Sequence, residues 1–112
     1  AIVREVREET ARPFRPRALV GIYYWQPPGG GAPYLRVAFD GECGDPVAGQ
    51  ALDHGIEAVV WHSRAVLAAV PGRLRSPLVL RGIDDYLAGQ RHDLASIAGA
   101  SVAELRARAT RL

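Results

Sequence analysis

The sequence predicts an α+β or mixed α/β fold, in which helices pack on a β-sheet. Three observations lead to this fold class. A charged helical segment comes first, β-branched and aromatic segments around a proline- and glycine-rich loop follow, and the second half carries several helix-capping signals. The 112 residues suit one domain, and the 48% hydrophobic content suits a packed core.

The chain opens on a predicted helix over residues 1–10, where aliphatic residues recur at helical spacing among charged ones. Pro13 and Pro16 end this helix and begin an extended connection, because proline removes a backbone donor and restricts the residue before it. No capping residue precedes the helix, and the sequence contains no methionine. We therefore expect residues 1–112 to be the C-terminal portion of a single domain, whose N-terminal strands are missing from this chain.

A β-hairpin is predicted next. Residues 18–25 and 34–40 are rich in β-branched and aromatic side chains, and residues 26–33 between them contain three prolines and three glycines. Residues 41–55 are rich in glycine, aspartate and proline and predict a long loop. Residues 56–61 then predict a third strand.

The remaining segments predict helices. Ser63 is a capping residue for a short helix over 64–70, which Pro71-Gly72 ends. Ser76 followed by Pro77 predicts the start of a helix that reaches about Ala88, with Gly89 as its stop. A capping box of Ser101 and Glu104 predicts a last helix over about 101–111.

The composition excludes several classes of partner. The net charge is +2, from 14 basic and 12 acidic residues, which gives no reason to expect a nucleic-acid partner. No apolar run approaches the roughly 18 residues of a membrane span. The single cysteine, Cys43, cannot form an internal disulfide, so we expect a reducing compartment, the cytoplasm.

Three carboxylates stand out in the first helix. Glu5, Glu8 and Glu9 lie at i, i+3 and i+4, which places them on one helix face within about one turn. Like charges at this spacing destabilise a helix, and a hard divalent cation that prefers oxygen ligands compensates for them. A solvated, charged helix face is the alternative that the spacing alone leaves open.

The stretch Arg4-Glu5-Val6-Arg7-Glu8-Glu9 resembles the second half of the Nudix box, in which Arg-Glu-aliphatic-any-Glu-Glu is followed by any residue, a glycine and an aliphatic residue. The chain departs from this pattern at Ala11 and Arg12, which replace the glycine and the aliphatic residue. Ala11 costs more than glycine in a left-handed helix end, which bears on the local cap more than on the metal site.

Later segments resemble the NudJ phosphatase subfamily of Nudix hydrolases. They are Tyr24-Trp25-Gln26-Pro27, Tyr34-Leu35-Arg36, Leu74–Val79 and Asp85–Arg91. The resemblance covers about residues 1–97. It implies a Nudix-type αβα sandwich around a mixed β-sheet, with the chain beginning inside the Nudix-box helix.

The resemblance also implies an activity and a site. The expected enzyme is a Mg²⁺-dependent hydrolase, with Mn²⁺ as a substitute, that cleaves phosphoanhydride bonds of nucleoside di- or triphosphates or related pyrophosphates. Glu5, Glu8 and Glu9 would bind the metal, and Arg4 would orient the glutamates. Glu8 or Glu5 is a better candidate for the general base than Glu9. A non-catalytic ligand-binding domain with the Nudix fold is the alternative, and a homodimer is not excluded.

Further residues are weaker candidates. Tyr24 and Trp25 could stack a substrate ring, although strand alternation points them to opposite faces. Arg36 and Arg75 could clamp a phosphate, with surface roles equally consistent. Glu57 is the nearest match to an additional acid that many relatives carry, and a solvated strand residue is the alternative for it.

Overall fold

The structure is a computed structural model, and it describes residues 2–97. Helices are combined with an antiparallel sheet, as the α+β prediction requires. The first helix, α1, spans Ile2–Thr10 and agrees with the predicted helix over residues 1–10. No helix within the described residues is both long and apolar enough to cross a membrane.

The sheet is a hairpin of two strands, β1 (Phe14–Trp25) and β2 (Tyr34–Cys43). Its register runs from the Phe14–Cys43 pair to the Trp25–Tyr34 pair, so the loop over 26–33 falls where the sequence predicts it. Both strands are longer than predicted. The pairing register shifts twice along β1, between Pro16 and Ala18 and between Leu19 and Gly21. The first shift directly follows Pro16, which cannot donate a ladder hydrogen bond.

One face of the hairpin is covered by a helix, α3 (Leu78–Leu87). The covered face contains Tyr23 and Ala38, whose side chains would be in van der Waals contact with a Cβ added at Gly82 on α3. The opposite face carries Ile22, Tyr24, Leu35 and Val37, as two cross-strand pairs that are between 40% and 72% exposed. The two faces of the hairpin therefore have different environments.

The middle of the free edge of β1 is paired with the segment that follows α3, through an isolated bridge between Leu19 and His92. Leu19 and His92 exchange two backbone hydrogen bonds of 2.8 and 2.7 Å, and the Gln90 side-chain amide donates to the Val20 carbonyl over 2.7 Å. Leu19 and Val20 are among the most buried residues of the chain, at 4% and 2% exposure. The segment thus satisfies backbone groups that an unpaired edge would leave open.

The helix caps predicted at Ser63, Ser76 and Gly89 are present in the structure. Helix α2 spans Arg64–Ala68, and the Ser63 hydroxyl accepts a hydrogen bond from the Val66 amide. The Ser76 hydroxyl accepts from the amide of Leu78, the first residue of α3. After α3, Gly89 adopts φ +88°, the left-handed conformation that favours glycine.

The predicted third strand over 56–61 is wrong. This segment has no regular structure, and Val59, Val60 and Trp61 are exposed. Strand propensity is not sufficient without a neighbour that pairs the backbone N–H and C=O groups, and no strand within residues 2–97 pairs with it. The helix predicted over 101–111 lies outside the described residues.

Candidate functional site

Helix α1 presents its three carboxylates away from the fold. Ile2, Val6 and Thr10 recur every fourth residue and form the half-buried stripe, while the carboxylates occupy exposed positions. The exposed residues are Glu5, Glu8 and Glu9. The helix therefore places all three on one accessible face, as their spacing predicts.

The end of α1 is unusual in its backbone. Ala11 adopts φ +59° and is only 6% exposed, and its amide donates to the Arg7 carbonyl over 2.9 Å. This is the position where the Nudix pattern has glycine, which adopts the left-handed conformation without a Cβ penalty. The Thr10 hydroxyl reinforces the turn, because it donates to the Val6 carbonyl and accepts from the Arg12 amide.

The loop after β2 fixes the C-terminal half of α1. The Gln50 side chain makes two hydrogen bonds to Arg7: its amide donates to the carbonyl over 2.8 Å, and its oxygen accepts from the guanidinium over 2.9 Å. The Asp53 amide donates to the Glu8 carbonyl over 2.8 Å, and the Val47 amide to the Ala11 carbonyl over 2.7 Å. The two backbone bonds supply partners for the Glu8 and Ala11 carbonyls at the helix end, and the Gln50 amide is a second donor to the Arg7 carbonyl, which also accepts from Ala11. We call Val47, Gln50 and Asp53 the loop clamp.

Sequence reasoning did not find the loop clamp. Its residues lie in a segment without periodicity, and a glutamine between a glycine and an alanine has no signature of a helix-capping partner. The clamp matters to the site because Glu8, one of the three carboxylates, is held through its own backbone carbonyl.

The arginines around the carboxylates have different roles. Arg4 lies 3.7 Å from the Glu8 carboxylate at i,i+4, an exposed ion pair that contributes little to stability. Arg7 is directed to Gln50, and its guanidinium serves the loop clamp. Among the three glutamates, Arg4 forms an ion pair only with Glu8, so only that part of its expected orienting role is supported by a contact in the described residues.

The carboxylate oxygens on α1 are the type of ligand that a hard cation prefers. All three side chains are solvated carboxylates, and oxygen is the ligand that Mg²⁺ prefers. Within residues 2–97 no three His, Cys, Asp or Glu side chains already converge as a metal cluster. A preformed cage is not required, because Mg²⁺ usually keeps several waters and binds through one or two carboxylates together with substrate phosphates.

The additional acid candidate, Glu57, is exposed in the irregular segment over 56–61. Glu57 lies four residues after Asp53, the last residue of the loop clamp, whose amide donates to the Glu8 carbonyl of α1. The structure gives Glu57 no hydrogen bond or ion pair among the described residues.

The four substrate-binding candidates do not form one group. Arg36 and Arg75 line the same cavity, of about 150 Å³, together with Tyr34. Trp25 stacks on Tyr34, with ring centroids 5.6 Å apart. Tyr24 lies on the opposite, bare face of the hairpin and is 66% exposed, so it does not reach this cavity.

A half-buried polar pair lies between the hairpin and α3. The Tyr23 hydroxyl donates a hydrogen bond of 2.7 Å to the Asp85 carboxylate, which also receives one from Arg81. Burial, followed by the hydrogen bond to Asp85, raises the pKa of Tyr23 to about 12. This pair fixes α3 on the sheet rather than providing an acid or base for catalysis near neutral pH.

The comparison with solved structures supports the fold. No protein-family model matches the chain, and no curated protein matches it. Among solved structures, a NUDIX hydrolase from Nitrosomonas europaea is similar, with a TM-score of 0.80 and 38% sequence identity. The similarity covers 88% of this chain and 66% of that one, so the chain spans just under two thirds of the length of its solved relative. The chain belongs to the Nudix hydrolase family.

Proposed function

We propose that this chain supplies the metal-binding helix of a cytoplasmic Mg²⁺-dependent hydrolase that cleaves phosphoanhydride bonds. The substrates are nucleoside di- or triphosphates or related pyrophosphates, as in NudJ-like phosphatases. The observation that carries the proposal is the exposed face of α1 with Glu5, Glu8 and Glu9, in a chain whose solved relative is named a hydrolase.

Each residue of α1 has a proposed task. Glu5, Glu8 and Glu9 would hold Mg²⁺, or Mn²⁺ in its place, and the bound cation would neutralise phosphate oxygens and lower the pKa of a coordinated water. Glu8 or Glu5 would accept a proton from the attacking water as general base. Arg4, 3.7 Å from Glu8, would restrict where that carboxylate points.

The loop clamp gives this arrangement its rigidity. Phosphoryl transfer depends mostly on positioning and charge stabilisation, so the helix that carries the acids must be held in place. Val47, Gln50 and Asp53 contact the last turn of α1 through the hydrogen bonds described above. They are positioning residues in this proposal.

The central test replaces single acids by their uncharged isosteres. Glu8→Gln and Glu9→Gln should each lower turnover by about 100-fold in the full-length enzyme, about 2.7 kcal/mol of transition-state stabilisation. Thermal stability in chelator should hold or rise, because like-charge crowding on α1 is relieved. The matched control is Glu42→Gln, an exposed glutamate on β2 that pairs with Arg17 and should retain wild-type turnover.

Two results would oppose the proposal. Equal activity in excess chelator would remove the metal from it. A large loss of metal-free stability without a specific loss of turnover in Glu8→Gln or Glu9→Gln would instead assign these acids to the fold.

The competing function is a Nudix-fold domain that binds a ligand without hydrolysing it. In the Nudix pattern a glutamate stands eight residues and a glycine fourteen residues before the position of Arg4. A glutamate and glycine at those positions of the gene would favour the enzyme, and other residues there would favour the binding domain. A homodimer, in either case, is a separate question for solution measurements.

Substrate choice needs a panel assay. It should compare nucleoside triphosphates, diphosphates, diphosphate sugars, dinucleoside polyphosphates and the pyrophosphate of the thiamine pyrimidine precursor. We expect the small nucleotides or the pyrimidine pyrophosphate to be preferred. A clear preference for dinucleoside polyphosphates would remove the NudJ-like part of the proposal.

A further inference from the structure

A small basic cavity lies near the loop end of the hairpin, where β2 meets the start of α3. Its volume is about 150 Å³, and it is lined by Tyr34, Leu35, Arg36, Arg75, Ser76 and Leu78. We propose that this cavity, which we call the basic cavity, binds a single phosphate group held by Arg36 and Arg75. The proposal does not depend on the proposed hydrolysis.

The two arginines reach the cavity from separate parts of the chain. Arg36 is on β2, opposite Tyr23 in the hairpin register, and belongs to the face that α3 covers. Arg75 belongs to the turn before α3, thirty-nine positions further along the sequence. Both residues line the cavity, so an oxyanion bound there would accept charge-assisted hydrogen bonds from two guanidinium groups and offset their mutual repulsion.

Neither arginine is already committed elsewhere in the described part of the chain. Within residues 2–97, Arg36 and Arg75 have no carboxylate partner, whereas five other arginines form ion pairs. Their donors are therefore available, and guanidinium is well suited to phosphate because it can donate two parallel hydrogen bonds.

The backbone beneath Arg75 is fixed. Ser76 is only 8% exposed, and its hydroxyl and carbonyl accept hydrogen bonds from the Leu78 and Val79 amides. This turn fixes the backbone from which the Arg75 side chain extends. The same bonds occupy these two amides of α3, so the guanidinium groups, rather than the helix end, supply the binding energy.

The size of the cavity sets the class of ligand. The volume of about 150 Å³ is below the roughly 300–1,000 Å³ of sites that enclose a whole small-molecule ligand. The cavity therefore suits one phosphate group, and the rest of a larger ligand would lie outside it. The group can be inorganic phosphate or the phosphate of a monoester such as AMP, and the two sources are compared in the test.

The cavity is also remote from the junction of α1 with the sheet. Arg36 pairs with Tyr23, and α1 joins β1 before Phe14. Tyr23 is nine positions beyond Phe14 on β1, a span of about 30 Å at the usual rise of a strand. None of the three α1 carboxylates lines the cavity, so phosphate binding is measured in chelator, with these carboxylates free of metal.

The experiment is calorimetric titration of the full-length protein with inorganic phosphate and, separately, with AMP, at constant ionic strength and in excess EDTA. We expect one site with a dissociation constant on the order of 1 mM for at least one of the two ligands. Arg36→Gln and Arg75→Gln should each raise that constant about tenfold or more, without a change in thermal unfolding. Arg36→Lys and Arg75→Lys should recover only part of the affinity, because lysine cannot bind in a bidentate manner.

The matched control is Arg73→Gln. Arg73 is exposed, is two residues from Arg75, and lines a different cavity with His62 and Leu74. Its substitution should leave phosphate binding unchanged. No saturable binding of either ligand, unchanged affinity in Arg36→Gln and Arg75→Gln, or an equal loss in Arg73→Gln would each overturn the proposal.

A second readout is the pH dependence of AMP binding. The second pKa of a phosphate monoester is about 6, so AMP carries more negative charge at pH 7.5 than at pH 5.5. Affinity should therefore increase with pH, and an affinity that falls between pH 5.5 and 7.5 would contradict a site formed by guanidinium groups.

Discussion

Gln50→Ala tests whether the loop clamp fixes the helix that carries the proposed metal site. The change removes both hydrogen bonds between Gln50 and Arg7, of 2.8 and 2.9 Å, and leaves the backbone bonds of the loop in place. A typical intramolecular hydrogen bond contributes about 1 kcal/mol, and these two are in contact with solvent. We expect a loss of about 1–2 kcal/mol of unfolding free energy, which corresponds to about 4–8 °C in a protein of this size.

The assay is thermal unfolding in chelator, together with hydrogen exchange of the α1 amides and turnover with metal. Exchange should accelerate at the end of α1, because the loop and the helix separate more often. Turnover should fall by about tenfold, since a small displacement of catalytic groups is enough to reduce the rate.

The matched control for Gln50→Ala is Gln26→Ala. Gln26 also donates its side-chain amide to a backbone carbonyl, that of Gly31, but this bond spans only five residues within the hairpin loop. Its loss should leave α1 exchange and turnover unchanged. If Gln50→Ala unfolds like wild type, or if Gln26→Ala lowers turnover equally, the clamp does not position α1.

Three further predictions concern local structure. Ala11→Gly should raise the free energy of unfolding by up to about 1 kcal/mol, because relief of the strain at φ +59° outweighs the lost contacts of one methyl group. A clear loss of stability in thermal unfolding would show that burial of the methyl group dominates. The pKa of Tyr23 is raised from its ordinary value of 10.0 to about 12, so the folded state holds this proton to higher pH than the unfolded state does. The contribution of Tyr23 to the free energy of unfolding is therefore complete below pH 10 and declines between pH 10 and 12. Tyr23→Phe should abolish that decline when the free energy of unfolding is measured across this interval. Gly21→Ala should lower the free energy of unfolding by about 1–3 kcal/mol and remove the raised pKa of Tyr23. The added Cβ would stand 2.5 Å from the Tyr23 hydroxyl oxygen and displace it from Asp85. An unchanged tyrosine titration would contradict this geometry.

Structural features that depend on residues close in the sequence were predictable from the sequence. The hairpin follows from two β-branched and aromatic segments around a loop of glycine and proline, and Ser63, Ser76 and Gly89 act as helix caps because capping is local chemistry. The strand limits moved outward, because pairing with a partner extends a strand beyond the residues that favour it.

Features that depend on distant contacts were not predictable. Residues 56–61 have strand composition and form no strand, because a ladder needs a partner that composition does not reveal. The loop clamp joins positions 43 residues apart, and the convergence of Arg36 and Arg75 joins the hairpin to the turn before α3. The spacing of Glu5, Glu8 and Glu9 was readable, whereas what holds their helix was not.

The alternation of the hairpin limits how any substrate could use its aromatic residues. Trp25 and Tyr34 are a cross-strand pair on the same face as Arg36, while Tyr24 is on the bare face with Leu35. A ligand that binds Arg36 cannot also stack on Tyr24, because the two side chains point to opposite sides of the sheet. Stacking beside the basic cavity would have to use the outer surfaces of the Trp25–Tyr34 pair, whose facing surfaces already contact each other. Binding at Tyr24 and binding at Arg36 are therefore separate questions for this chain, even though the two residues lie on adjacent strands, one position apart in the hairpin register.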